Sequence, residues 1–208
     1  MVYPIYKRSV LPILRLFFKE ITGVENIPKK GPFILTGNHE SILDPLFAQS
    51  IIIPVTNSKI HFLAIKGRFW KLSGDTIAEK WMGCICLDKG KERALQQLLR
   101  LLKKDEIVAI AIGGSASLDG KLKKGKTGVV RLALEAEVPI VPIGFIGTIN
   151  IAPEGALIPR LKRAKVHIGK PICLDKYYKK NIDYKILRKL TDDVMRVISG
   201  LTGKHYDY

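Results

Sequence analysis

The chain has 208 residues, of which 47% are hydrophobic, a length and content that suit one globular domain and exclude a disordered chain. Lysine and arginine outnumber aspartate and glutamate by 35 to 19, which gives a formal net charge of +16. This excess favours polyanions, anionic lipid surfaces or phosphorylated substrates as partners, and charge alone does not choose among them. Cys84, Cys86 and Cys173 form no C-x-x-C pair, so we expect reduced core or strand residues of a cytoplasmic protein.

The N-terminal segment, residues 1–27, carries an apolar stretch over residues 10–18 that a basic residue interrupts. The stretch is shorter than the roughly 20 apolar residues of a membrane-spanning helix, and no small-residue cleavage site of a signal peptide follows it. In a helix, Leu11, Leu14 and Phe18 would share one face, with basic residues nearby. The pattern is typical of an amphipathic helix on a membrane surface, and an ordinary helix packed on the domain explains it equally well.

The stretch from Gly37 to Leu46 places His39 five residues before Asp44, directly after the apolar run at residues 33–35. Asp44 followed by Pro45 predicts the start of a helix, because aspartate can cap free N–H groups and proline fits the first helical position. His39 then lies in the preceding turn, from which its ring can fold back over the carboxylate. Such a contact fixes the tautomer and leaves the other ring nitrogen free to take a proton. The alternative is a polar turn residue beside a simple helix cap.

Asn38, His39, Ser41 and Asp44 form the pattern N-H-x-S-x-x-D, which resembles the first signature block of the glycerolipid acyltransferases, the family of lysophosphatidic acid acyltransferase. The resemblance implies that His39 is the catalytic base and Asp44 its partner, with Asn38 and Ser41 at the substrate site. It also implies direct acyl transfer. Ser41 is therefore not expected to be a nucleophile, and a serine near a helix start is commonly a capping residue.

A short apolar strand at residues 84–87 ends in Asp88 and Lys89 and resembles the second block of the family, in which arginine stands in place of Lys89. Lysine keeps the positive charge but loses the two-pronged geometry of arginine, so it would hold a phosphate with less directional control. A lysine at a strand end is otherwise an ordinary solvated residue. Lys66 and Arg68 follow the preceding predicted strand and are further candidates for phosphate binding.

The third block departs from the family. The family pattern F-P-E-G-T-R-S falls without gaps on residues 111–117, where Gly114 is retained and Ser115 replaces threonine. Gly113 and Ala116 stand where the family has the glutamate and arginine that are associated with the polar acceptor and its phosphate. Neither replacement can make those contacts, and the loss of both avoids leaving one charge unpaired.

Three explanations of the changed block stay open. The acceptor differs from lysophosphatidic acid, other basic groups hold its phosphate, or catalysis is lost. The intact pair of His39 and Asp44 favours the first two. The basic groups in question are Lys66, Arg68, Lys89 and Lys121. Gly113 and Gly114 could also offer backbone N–H groups to an anion, although a flexible turn at a strand end explains them as well.

Strands alternate with helices along the chain. This order predicts an α/β domain over residues 28–208, with a mixed, largely parallel sheet flanked by helices, and the resemblance to glycerol-3-phosphate acyltransferases implies the same fold. Helices are expected near residues 45–53, 92–104, 126–137 and 184–201. Strands are expected near residues 33–36, 59–65, 84–87, 107–112, 138–145, 165–168 and 171–174. The prolines of the segment at residues 138–145, which contains VPIVPI, predict an interrupted strand or an edge strand.

The sequence and the resemblance together predict an O-acyltransferase. It would move a fatty acyl group from acyl-CoA or acyl carrier protein, as co-substrate, to the hydroxyl of a lysophospholipid or related amphiphile. We expect no metal or cofactor, and an anionic membrane as partner, with the protein peripheral or monotopic on its cytoplasmic side. The alternative is a catalytically silent member that binds membranes. Nucleic acid is disfavoured as a partner, because the charge is spread through the chain without an aromatic platform.

Overall fold

The computed structural model describes residues 4–66, 74–117, 119–153, 156 and 158–208. The helices are α1 (Pro4–Arg15), α2 (Asp44–Thr56), α3 (Lys91–Leu102), α4 (Gly128–Ala136) and α5 (Tyr184–Thr202), and a π-helical segment spans Thr76–Trp81. The strands are β1 (Phe18–Thr22), β2 (Phe33–Gly37), β3 (Ile60–Ala64), β4 (Cys84–Cys86), β5 (Ile107–Ala111), β6 (Ile140–Ile146) and β7 (Ala164–Ile168).

The strands form one seven-stranded sheet in the order β1-β7-β6-β2-β5-β3-β4. Strands β6 and β7 are antiparallel, and the other neighbouring strands are parallel. The predicted mixed, largely parallel sheet is therefore confirmed. Because β2, β5 and β6 lie side by side and run in the same direction, the loops that follow them emerge at the same edge of the sheet.

The N-terminal segment contributes a strand that the sequence pattern did not reveal. Phe18 was expected on the amphipathic helix, but α1 ends at Arg15 and Phe18 opens β1, which pairs in parallel with β7. Leu11 and Leu14 are buried, and α1 packs against α2. The helix thus packs on the sheet domain, while the division of the chain into residues 1–27 and the remainder stays a prediction.

Two expectations about the second half of the sheet were wrong. Strand β6 lies inside the sheet, between β7 and β2. Pro142 is tolerated there because β7 pairs only with residues 143–146 of β6, so no ladder carbonyl of β7 requires the N–H that proline lacks. The carbonyl oxygen of Pro142 still accepts a hydrogen bond from the Gly169 N–H, at 2.9 Å. The strand expected at residues 171–174 does not form, and Ile172 makes only an isolated bridge.

Helices cover both faces of the sheet. In β2, Phe33 and Leu35 point into a core cluster that they share with α1 and α2, whereas Ile34 points into a second cluster with α3, α4 and α5. A strand that is buried on both faces reads as a continuous apolar run, as the sequence of β2 does. The loop after β2 is therefore the point at which the chain leaves a fully buried environment and reaches the edge of the sheet.

Candidate active site

The loop between β2 and α2 brings His39 and Asp44 together. Strand β2 ends at Gly37, where a Cβ atom would lie 2.1 Å from the carbonyl oxygen of Ile143, so only glycine allows this approach of β2 to β6. Two residues later, the Nδ1 atom of His39 lies 2.9 Å from Oδ2 of Asp44. The expected return of the ring over the carboxylate is confirmed.

Backbone donors hold the Asp44 carboxylate in place. Its Oδ2 atom accepts hydrogen bonds from the N–H groups of Glu40, at 2.7 Å, and Ser41, at 2.9 Å. The predicted role of Asp44 as the cap of α2 was wrong, since α2 already includes Asp44 and its cap residue, Leu43, makes no side-chain cap. The carboxylate points back into the loop instead, because two N–H groups and the imidazole converge on it.

The two members of the pair differ in exposure. The side chain of Asp44 is 5% exposed and that of His39 is 25% exposed. With Nδ1 of His39 hydrogen-bonded to a buried carboxylate, Nε2 is the ring nitrogen left to accept a proton. The arrangement can therefore perform general-base chemistry on a group that approaches the open side of the ring.

The Ser41 hydroxyl is engaged in the structure of the loop. Ser41 is fully buried, and its Oγ atom donates a hydrogen bond to the carbonyl oxygen of Ala152 at 2.7 Å. The same oxygen accepts a hydrogen bond from the N–H of Leu43 at 3.2 Å. These contacts stabilise the loop against a distant segment and favour a structural role over a nucleophilic one.

Asn38, Glu40 and Lys204 form a polar network that includes both chain neighbours of His39. The Asn38 amide exchanges two 2.8 Å hydrogen bonds with the backbone of Phe145 and donates a third to Oε1 of Glu40 at 2.7 Å. Glu40 is 2% exposed, and burial raises the pKa of its carboxyl group, which the hydrogen bond from Lys204 opposes. The Lys204 ammonium also contacts the carbonyl oxygen of Gly120, so it links two loops of the site.

The loop that follows β5 packs against the histidine. The Ser117 N–H donates a 2.7 Å hydrogen bond to the carbonyl oxygen of His39. Gly114 has a φ of 90°, and a Cβ atom there would lie 2.5 Å from Nζ of Lys126. The glycine therefore permits both the left-handed turn and the close approach of a lysine.

A second lysine crosses the same loop. The Nζ atom of Lys123 donates hydrogen bonds to the carbonyl oxygen of Ala116 at 2.7 Å and to Oγ of Ser115 at 3.0 Å. Lys123 and Lys126 thus place positive charge beside Ala116 and Gly114, in a block that has no charged side chains at positions 113 and 116. The changed block retains cations, but they come from residues further along the chain.

A small cleft beside His39 brings together five of the predicted site residues. The predicted residues that line it are Asn38, His39, Gly113, Ser115 and Lys121. Sequence reasoning did not assign the other lining residues, which are Ile112, Ser117, Leu122, Lys123 and Met195. The cleft is therefore lined both by the proton acceptor, His39, and by the basic side chains of Lys121 and Lys123.

Of the remaining predicted phosphate ligands, Lys66 does not line this cleft, and the structure does not describe the side chains of Lys89 and Arg68. Lys66 forms an ion pair with Asp75 at 2.8 Å and is absent from the lining. Lys89 ends the 3₁₀ turn Leu87–Lys89, and its side chain is not among those described. Arg68 lies outside the described residues. A role of these three in binding substrate stays a prediction.

Other expectations concern metals, thiols and membrane spans. Within the ranges given above, no group of three or more histidine, cysteine or carboxylate side chains could hold a metal ion. The three cysteines are free, but Cys173 is exposed and lies outside a strand, contrary to its expected core or strand position. None of the described helices combines the length and the apolar content that crossing a membrane would take.

Four charged residues of the site were missed by the sequence analysis: Glu40, Lys123, Lys126 and Lys204. The basic run at residues 121–126 is a signal for Lys123 and Lys126, because it begins four residues after the changed block. Glu40 lies inside the first block and reads as an exposed loop residue, and nothing in the sequence links Lys204 to it. These two were missed because their pairing depends on the tertiary fold.

The fold resembles that of the crystal structure of the 1-acyl-sn-glycerophosphate acyltransferase PlsC from Thermotoga maritima. The TM-score is 0.68 at 23% sequence identity, over 95% of this chain and 82% of that chain. The chain is thus an α/β protein with the PlsC fold, and its histidine–carboxylate pair lies at the carboxyl edge of the parallel strands.

The sequence assigns the family within this class. The family model described as Acyltransferase matches residues 19–146, and the chain belongs to this family. It is 29% identical over 166 residues to a chloroplastic 1-acyl-sn-glycerol-3-phosphate acyltransferase of Brassica napus, covering 74% of this chain and 42% of that protein. It is 30% identical over 183 residues to a protein of the same description from Arabidopsis thaliana, covering 82% and 45%. The chain thus spans less than half the length of these two relatives.

Proposed function

We propose that the protein is an O-acyltransferase that moves a fatty acyl group from a thioester donor to the free hydroxyl of a lysophosphatidic acid-like acceptor. The observation that carries the proposal is the contact of His39 with the buried carboxylate of Asp44 beside an open cleft. The names of the two plant relatives, both 1-acyl-sn-glycerol-3-phosphate acyltransferases, support the choice of reaction.

The reaction needs one base and no covalent enzyme intermediate. Nε2 of His39 removes the hydroxyl proton of the acceptor while the hydroxyl oxygen attacks the thioester carbonyl carbon. Asp44 stabilises the imidazolium that forms. The tetrahedral intermediate then expels the thiolate, which takes the proton from His39. The products are the new ester and the free thiol, and the histidine is neutral again.

The lysines beside the cleft favour an acceptor that carries a phosphate. Lys121 and Lys123 line the cleft with His39, and Lys126 lies against the adjacent turn. A cluster of ammonium groups can neutralise a phosphate monoester, although it lacks the fixed geometry of an arginine. Of the three explanations for the changed block, we therefore favour the one in which other basic groups hold the phosphate.

The donor and the cellular setting belong to the same proposal. Either acyl-CoA or acyl carrier protein supplies the thioester, and a peripheral or monotopic position on the cytoplasmic side of an anionic membrane gives access to the acceptor. The second candidate is a catalytically silent membrane-binding member. It is favoured by Gly113 and Ala116, which stand where the family has its charged pair.

A thiol-release assay separates these two functions. The purified protein is mixed with acyl-CoA or acyl carrier protein and with lysophosphatidic acid, a lysophospholipid diester or monoacylglycerol, and the products are identified by mass spectrometry. We expect acceptor-dependent thiol release, fastest with the phosphate monoester. Absence of turnover with every combination of donor and acceptor would support the silent member.

A further inference from the structure

The loop that leads into β7 exposes two large aliphatic side chains among basic residues. Leu161 is 95% exposed and Ile158 is 79% exposed. The Lys162 N–H donates a 2.7 Å hydrogen bond to the carbonyl oxygen of Arg160, which closes a tight turn with Leu161 at its tip. An isolated exposed leucine is ordinary, but here two aliphatic side chains protrude from one short, tightly turned loop.

The exposed end of α1 lies beside this loop. The Ala164 N–H, directly after the loop, donates a 2.8 Å hydrogen bond to the carbonyl oxygen of Phe17. The neighbouring Leu16 is 69% exposed, and Ile13, one turn earlier, is 58% exposed. We call Ile13, Leu16 and the loop Ile158–Arg163 the docking surface.

The docking surface is connected to the candidate active site. The loop is anchored by a 2.8 Å hydrogen bond from the Arg160 N–H to the carbonyl oxygen of Ile151. The next residue, Ala152, accepts the hydrogen bond from the buried hydroxyl of Ser41, two residues from His39. Ile42, on the same loop as His39, is 43% exposed. A partner seated on the docking surface would therefore lie close to the entrance of the site.

We propose that the docking surface inserts Leu161 and Ile158 into an anionic lipid surface, while the basic residues beside them contact the headgroups. The inference rests on the proposed function in that the acceptor is a membrane lipid. It adds the part of the chain that makes the contact, and thereby the orientation of the site toward the lipid.

The chemistry of the docking surface fits a lipid interface better than other partners. The segment from Ile158 to Arg163 reads IPRLKR and contains no acidic residue. Aliphatic tips next to cations match an interface that is apolar inside and negative at its surface. A nucleic acid would match the charges but would leave the exposed leucine and isoleucine without an apolar environment.

Vesicle flotation tests the proposal independently of catalysis. The full chain is mixed with vesicles of phosphatidylcholine, with or without phosphatidylglycerol. We expect binding that depends on phosphatidylglycerol and that Leu161→Ser weakens about tenfold or more, because burial of one leucine side chain is worth a factor of that order. Lys162→Gln should weaken it about fivefold, as expected for one cation at an anionic surface.

Matched controls come from the opposite face of the sheet. Val197 and Lys189 are exposed residues of α5, which packs on the other core cluster from α1 and α2. Val197→Ser and Lys189→Gln should retain the wild-type vesicle affinity. Circular dichroism and thermal unfolding of all four variants verify that any loss of binding occurs in folded protein.

Several outcomes would overturn the proposal. These are a wild-type protein that does not bind anionic vesicles, or Leu161→Ser and Lys162→Gln variants that bind as tightly as the wild type. A concentration-dependent dimer that Leu161→Ser abolishes, without vesicle binding, would assign the surface to a second copy of the chain. Vesicle binding through this surface without thiol release would leave the docking surface in place and refute only the acyltransferase proposal.

Discussion

The two loops that meet at the cleft obtain their charges in different ways. In the loop of His39, the carboxylate of Asp44 is buried. It contacts the His39 ring and accepts hydrogen bonds from the backbone N–H groups of Glu40 and Ser41. In the loop after β5, the charges come from Lys123 and Lys126, whose long side chains reach back over glycine and alanine.

This difference separates two demands on the site. Proton transfer requires a base held within hydrogen-bond reach of its substrate. In the first loop, backbone hydrogen bonds fix the short side chain of Asp44, which in turn positions His39. Neutralising a phosphate requires positive charge but tolerates movement, which flexible lysines provide. We therefore expect changes in the first loop to lower kcat or the stability of the fold, and changes in the second to raise the KM of the acceptor.

Among the residues that assist the base, the largest effect is expected from Asp44→Asn. The neutral amide no longer stabilises the imidazolium form of His39, so we expect kcat to fall by about 10²–10⁴-fold, the usual contribution of a positioned acid–base group. The control is Asp207→Asn, because Asp207 contacts a histidine in the same way but at an exposed position. A wild-type kcat for Asp44→Asn would show that the carboxylate does not assist the base.

Removal of Lys204 should destabilise the first loop. Lys204→Met leaves the buried carboxylate of Glu40 without its cation, and we expect the free energy of unfolding to fall by about 2–4 kcal/mol in urea titrations. Adding Glu40→Gln should recover part of this loss, because the amide needs no counter-charge. Lys189→Met, on the exposed side of α5, should change the stability by no more than about 0.5 kcal/mol. A fully stable Lys204→Met variant would show that the pair contributes nothing.

The second loop is tested through the affinity for the acceptor. Lys123→Met should raise the KM for lysophosphatidic acid about tenfold, the value of one charge-assisted hydrogen bond, and leave kcat nearly unchanged. Addition of Ala116→Arg should restore the KM by returning a cation to this loop. Lys124→Met is the matched control, because this neighbour is exposed and lies 5.9 Å from the ring of Tyr208. An unchanged KM in Lys123→Met would remove this lysine from the phosphate site.

The smallest effect concerns a histidine outside the cleft, His61. Burial and the nearby charge of Lys59 lower its pKa to about 4. Its carboxylate neighbour, Glu106, is 3.7 Å away and 40% exposed, unlike the buried partner of His39. The unfolded chain therefore binds the proton more readily, and stability contributed by neutral His61 is lost as the pH falls from 6.5 toward 4.

The matching measurement compares unfolding near neutral pH with unfolding at a pH of about 5. His61→Gln should reduce the acid-induced loss of stability by about 1 kcal/mol, after allowance for solvent screening. Equal acid sensitivity of the wild type and His61→Gln would contradict the lowered pKa.

Local patterns predicted the fold class and the first loop. The buried run at residues 33–35 and the Asp44–Pro45 helix start have direct physical causes, so the position of the His39 ring followed from them. The helix start was placed within one residue, yet the carboxylate was wrongly assigned to capping. Sequence spacing does not show which of several nearby N–H groups will donate a hydrogen bond to a given carboxylate.

Contacts between distant parts of the chain were not predictable in the same way. Strand β1 is short and lies directly after α1, so its apolar residues read as a continuation of the helix. The pairing of Glu40 with Lys204 joins positions that only the packing of α5 on β6 brings together. The prediction of an interrupted or edge strand from Pro142 was wrong. The N–H that proline lacks is not needed at this position, because β7 begins to pair with β6 only at residue 143.

The central claim is that the ring of His39 takes the proton of a lipid hydroxyl. The most direct test compares thiol release from acyl-CoA, with lysophosphatidic acid as acceptor, by the wild type, His39→Ala and His205→Ala. His205 also lies 2.9 Å from a carboxylate oxygen, but it is 93% exposed and is not among the residues that line the cleft. We predict that His39→Ala lowers kcat at least about 10³-fold and that His205→Ala has the wild-type rate. An active His39→Ala variant would contradict the account.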